Sequence, residues 1–175
     1  MRRITSIGLA LILGSLIVAP IVRAGGDDDE EEANPAALAK ALAGVSVTLD
    51  QGLTAAEAKG KPISAKFELE DGKLQLSVYT EKNGKFSEVI VDHKTGKLAK
   101  SEAITESEDL TAAKEQSAAM VMAKSALKDA MKRAVAANPG YRAVSVEAKA
   151  KGGAPVAEVG LLKGDEWKTV TEKLN

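Results

Sequence analysis

The chain has 175 residues, with 24 Lys and Arg against 25 Asp and Glu, a formal charge of −1, and no cysteine. That balance excludes the basic footprint of a nucleic-acid-binding protein, and the missing thiols exclude disulfides and thiolate metal sites. Only 3% of residues are aromatic, so Ala, Val and Leu must supply most of the core, each with little apolar area to bury.

Arg2 and Arg3 precede an uncharged, mostly apolar run from Ile4 to Val22. Val22-Arg23-Ala24 then carries small or apolar residues at the two positions a signal peptidase inspects. The pattern predicts a cleaved signal peptide over 1–24 and a periplasmic or secreted protein. At roughly 1.5 Å per helical residue the run nearly spans a bilayer, so an uncleaved anchor is the alternative, and the only membrane link expected. Cleavage leaves 151 residues, with 21 basic against 25 acidic, a formal charge of −4. Residues 25–34 open with GGDDDEEE and read as an acidic disordered tail. A calcium loop needs spaced oxygens and a bending glycine, which six consecutive carboxylates do not provide.

Asn34-Pro35 predicts a helix start, with Leu38 and Leu42 on one face and a stop at Gly44. Thr48 and Gln51 form a capping-box pattern for a second helix running to about Lys59, with Gly52 inside it. Ile63, Ala65, Phe67 and Leu69 then alternate with polar residues, as in a half-buried strand. Asp71-Gly72 and Asn83-Gly84 are tight-turn dipeptides, and the runs between and after them complete a three-stranded antiparallel meander. Asp92 to Gly96 is a turn; Lys97 to Ile104 either adds a fourth strand or simply exits.

Thr105 to Asp109 reads as polar and linker-like, and 105–119 as linker and helix start. A helix from about Leu110 to Ala137 carries an apolar stripe of Met120, Ala123, Leu127, Met131 and Ala134. Lys124 falls on that stripe, so either its stem runs along the face or the helix breaks near Ser125. Asn138-Pro139-Gly140 ends the helix. Strands over Tyr141–Ala150, Ala154–Leu162 and Glu166–Leu174 follow, separated by Lys151-Gly152-Gly153 and Lys163-Gly164-Asp165.

The order helix, stop, strand, turn, strand, turn, strand therefore occurs twice. Leu127 falls on Leu49, Met131 on Leu53 and Ala143 on Ala65; a longer second hairpin then shifts Trp167 onto Phe86 and Val170 onto Val89. The first copy resembles the PepSY family, small domains of secreted metallopeptidase propeptides and of a spore-cortex regulatory protein. The residues that carry the resemblance are Thr48-Leu49, Gly60 to Ala65, Glu68 to Gly72, Val89 to Asp92 and Thr95 to Leu98. In the second copy they are Asn138 to Gly140, Ala143 to Glu147 and Leu161 to Gly164. The resemblance implies an α+β fold of two PepSY-like units, each a helix packed on a three- to four-stranded antiparallel meander. The units span 35–104 and 120–175, the second truncated at its last strand. It also implies a non-enzymatic module that binds or restrains peptidases outside the cytoplasm.

No residues point to catalysis, a cofactor or a metal. His93 is the only histidine and sits in a turn; there is no nucleophile elbow and no Walker-type phosphate loop. Glu68, Glu70 and Glu88 alternate with apolar residues and read as the wet face of a sheet rather than an acid–base pair. Phe86 and Trp167 read as core. Tyr79, on the polar parity of its strand, and Tyr141 are the candidate partner contacts. The leading expectation is a binding module for an envelope protein or peptide, a peptidase foremost, docking on a surface or on an open strand edge between Leu161 and Leu174. The alternative is a small-ligand or cation sensor binding between the two sheets.

Overall fold

Asp71-Gly72 takes φ angles of 49° and 69°, and Asn83-Gly84 takes 55° and 75°. Positive φ at both central residues matches the twist of the flanking strands, so the chain reverses twice with two-residue turns. In the computed structural model, which describes residues 35–175, these turns join β1 (Lys61–Glu70), β2 (Lys73–Lys82) and β3 (Lys85–Val91). The fourth strand forms: β4 (Leu98–Ala103) follows the Asp92 turn, where Asp92 Oδ1 accepts the Lys94 and Thr95 amides at 2.9 and 2.8 Å. Those amide bonds hold its carboxyl below the usual range. The second series is β5 (Arg142–Lys151), β6 (Ala154–Lys163) and β7 (Glu166–Lys173), again with positive-φ turns.

The two expected sheets are one. All seven strands lie in a single antiparallel sheet of order β4-β3-β2-β1-β5-β6-β7, because β1 also pairs with β5. The expected ligand site between two sheets therefore has no counterpart among the described residues.

Two short helices precede the sheet, α1 (Pro35–Leu42) and α2 (Leu49–Ala56). The Thr48–Gln51 capping box forms, with the Thr48 hydroxyl accepting the Gln51 amide at 3.2 Å and Gln51 Oε1 accepting the Thr48 amide at 2.8 Å. The helix stops at Ala56, short of the expected Lys59. Gly52 lies against β2: a Cβ there would sit 2.6 Å from a Leu76 methyl, so the missing side chain sets how closely helix and sheet approach.

The expected helix over 110–137 is two. α3 (Ser107–Met122) ends where Ala123 turns extended, and α4 (Leu127–Ala136) begins after an extended Ala126. The break contains neither Gly nor Pro. It is held by the Leu174 carbonyl, which accepts the Lys124 and Ser125 amides at 2.6 and 3.0 Å. Lys124 itself is exposed. The apolar stripe is divided: Met120 belongs to α3, and Leu127, Met131 and Ala134 to α4.

The two helices serve opposite faces. α2 and α4 lie side by side on the face that carries Phe67, Leu76 and Val78, linked by Lys128–Glu57 and Lys132–Asp50 ion pairs of 2.8 and 3.2 Å. α3 packs on the other face, where Ser64 of β1 donates to Gln116 at 2.9 Å. The residues expected as linker are thus the buried side of α3, with Asp109, Ala113, Gln116 and Ala119 inside. The signal peptide over 1–24, the acidic tail over 25–34 and the Asn34 cap lie outside the described residues.

Candidate functional site

The candidate sites are the seam where β1 meets β5, the surface around Tyr141, and the outer edges of the sheet.

The seam is a ladder of three pairs, Ser64–Glu147, Ala65–Val146 and Lys66–Ser145. β1 and β5 each bear a register shift, at Ile63 and Val144, 81 residues apart. Counted from those bulges, both hairpins have equal strands and two-residue turns, so the longer second hairpin of the sequence reading is absent. The three extra residues lie before the strand instead, two in the longer α4 and one in the link to β5, and Ala143 falls on Pro62, not on Ala65. With this spacing Ser64 corresponds to Ser145 and Lys66 to Glu147, so exchanging the halves maps the ladder onto itself about Ala65–Val146.

The two sides of the seam then differ. Tyr79 corresponds to Gly160, where a Cβ would lie 2.3 Å from Ser145 Oγ. The side without a ring is the one α3 covers most fully, over β5 and β6. The Tyr79 side carries a polar cluster instead. The Tyr79 hydroxyl donates to Glu88 at 3.3 Å, and the Ser77 hydroxyl donates to Glu68 at 2.6 Å. Lys66 pairs with Glu68 at 2.6 Å and stands 5.8 Å from the Tyr79 ring centre.

Tyr79, expected as a partner contact, is only 1% exposed, so its ring is part of the interior. Burial, with the Glu68, Glu88 and Asp109 charges around it, pushes its pKa up and keeps it neutral. Glu88, expected on a wet face, is also buried, and burial raises its carboxyl above the ordinary range. Alternation alone could not show this, because α3, from a distant part of the chain, packs on that face over β1 and β2, and Glu88 bonds the buried Tyr79. Beside Tyr79, a cleft of about 50 Å³ is lined by Ser64, Lys66, Gln116, Ser145 and Glu147. It has room for a few waters, well below the roughly 300 Å³ of a typical small-molecule site. Among the described residues no three or more His, Cys, Asp or Glu side chains cluster as metal ligands.

Tyr141 is half-buried at the surface. Lys163 and Lys168 stand 5.7 and 5.8 Å from its ring centre, and Lys168 also donates to Asn138 at 2.6 Å. A hydrogen bond to Glu166 raises the phenol pKa. Phe86 and Trp167 are partly buried and pack against the core.

The edges are β4 and β7. β4 is exposed throughout but short, with a register shift opposite Ile90 and Val91 and a Lys100–Glu102 pair of 2.6 Å on it. Bulges and charges of this kind blunt an edge against further pairing. β7 runs eight residues in unbroken register with β6. Leu174 donates its amide to Pro155 at 3.1 Å, so in register Val170 and Glu172 bond inward and Thr169, Thr171 and Lys173 point their backbone groups outward. At its end, Arg133 donates to the outward Lys173 carbonyl at 2.6 Å.

Residues 36–102 match the PepSY family model, described as peptidase propeptide and YPEB domain. The match spans α1 to β4 and ends within β4. Comparison with curated proteins and with solved structures found no match.

Proposed function

We propose, from the PepSY match over residues 36–102, that this chain is an exported, non-enzymatic module that binds or restrains a peptidase. The match is the observation that carries the reading, since the family it names accompanies peptidases as propeptide and regulatory domain. The N-terminal pattern of Arg2, Arg3 and the apolar run to Val22 supports export through a signal peptide over 1–24. Residues 120–175 act as a second, shorter unit of the same kind. Equal hairpins with bulges 81 residues apart support that reading, and α3 joins the two units across the seam.

The partner docks by adding a strand to β7. Backbone groups of Thr169 and Thr171 supply affinity there, and alternate side chains supply selectivity. Tyr141, next to Lys168, provides a further contact for a partner on that side. Competition assays with secreted metallopeptidases test the reading, using the protein without residues 1–24. Binding or inhibition that weakens at least tenfold in Thr169→Pro is expected. Absence of both binding and inhibition overturns it.

A further inference from the structure

We infer that the β7 edge is self-complementary and pairs with β7 of a second copy of this chain, making one continuous sheet across two molecules. The inference concerns the same edge as the reading above, but it requires no peptidase.

In β7, Val170 is flanked by Thr169 and Thr171 and then by the opposite charges of Lys168 and Glu172. Place two copies antiparallel around a two-fold axis at Val170. Thr169 of one then stands opposite Thr171 of the other, and each of these two pairs exchanges two backbone hydrogen bonds, because both residues point outward. Val170 meets Val170, and Lys168, which also bonds Asn138, meets Glu172, which also pairs with Arg133 of α4 at 3.4 Å, twice. These fall in the non-hydrogen-bonded pairs, where opposed side chains approach most closely.

Charge selects this register. Only registers that oppose outward residues to outward residues can form the ladder, so neighbouring choices differ by two positions. Centring on Thr169 sets Glu166 against Glu172. Centring on Lys168 or Glu172 sets each against its own copy. Centring on Thr171 leaves Lys168 and Glu172 without an opposite charge and shortens the overlap. The Val170 register alone pairs both charges, and it overlaps Trp167 to Lys173, the Lys173 carbonyl at its end already accepting from Arg133.

The rest of the edge is compatible. Thr and Val are strand-favouring and, unlike β4, β7 carries no bulge, so its charges are accommodated only in the register that sets them opposite each other. Val170 is half-buried against the core on the face that α4 covers, so pairing extends an existing apolar layer. Self-pairing would also occlude the docking edge, so the free monomer is the form that takes a partner.

The test is sedimentation of protein purified after expression of the whole 175-residue chain, from about 10 μM to about 1 mM, the range a small interface requires. A concentration-dependent dimer is expected. Lys168→Glu and Glu172→Lys singly each set like charges opposite and should weaken it at least tenfold. The double variant restores opposite charges and should recover the dimer. Thr169→Pro removes an outward amide that β6 does not use, and should also dissociate the dimer while the circular dichroism of the fold is retained. A monomer at every concentration overturns the inference. So does a dimer indifferent to Thr169→Pro, or a double variant that fails to recover. Peptidase binding by a strictly monomeric chain would sink this inference and leave the proposed function standing.

Discussion

The Ser64 hydroxyl donates to the Gln116 side-chain oxygen at 2.9 Å, and both residues are buried. This bond ties the central strand β1 to α3 at the line where the two halves of the sheet meet. Removing one partner leaves the other buried and unpaired. Gln116→Ala is therefore expected to cost about 1–3 kcal/mol. Ser64→Ala with Gln116→Leu should cost less than the sum of the single changes. Urea unfolding of wild type, Gln116→Ala, Ser64→Ala, Gln116→Leu and the double variant measures both effects, and strict additivity would show that the bond does not couple them.

Glu88 gives the protein a pH dependence of defined sign. Its folded pKa is raised, by burial first and then by the charges of Glu68 and Glu70, against the neighbouring Ser77 hydroxyl and the hydrogen bond from Tyr79. Across β3 and β4 it also faces Glu102. The native state therefore holds the proton more tightly than the unfolded chain does. Its contribution is fully present below the ordinary Glu pKa and is lost as pH rises through the raised value. Glu88→Gln should abolish this component, so the stability of wild type relative to the variant declines from mildly acidic to neutral pH. Unfolding curves for both proteins between about pH 4 and pH 8 check it, and parallel pH profiles would refute it.

Gly52 sits where α2 meets the sheet. Gly52→Val forces a Cβ within 2.6 Å of the Leu76 methyl and should destabilise by about 1–3 kcal/mol or more. Leu76→Ala creates the complementary space, so the double variant should recover part of the loss. Thermal unfolding of the set reads the recovery. Without recovery, the cost comes from somewhere other than this contact.

Leu174 is fully buried, and its carbonyl holds the break between α3 and α4. Leu174→Ala keeps the carbonyl but empties the core position, at about 2–5 kcal/mol. Deleting Leu174 and Asn175 removes both supports. Hydrogen exchange should then rise at Lys124 and Ser125 well before it rises in β1 and β2. Uniform loss of protection would contradict a local role.

Local chemistry settled much of this protein. Asp71-Gly72 and Asn83-Gly84 dictate reversals whatever surrounds them, because few other residues accept positive φ twice in succession. Thr48 and Gln51 satisfy each other within one turn, and the alternation of Ile63 to Leu69 fixes which residues face apolar neighbours. These signals span a few residues, so they are legible in the chain alone, as are the residues that resemble PepSY. What β1 pairs with on its other side is not local, and neither is the face on which α3 lands. Joining β1 to β5 merges two meanders into one sheet, and the Leu174 carbonyl breaks a helix that its own residues would continue. α3 then covers part of a face that reads as wet, bringing Asp109 near the buried Tyr79, to which Glu88 is bonded. Period-2 patterning can tell the two faces of a strand apart. It cannot say what arrives to cover them, because the covering element lies dozens of residues away and is chosen by packing.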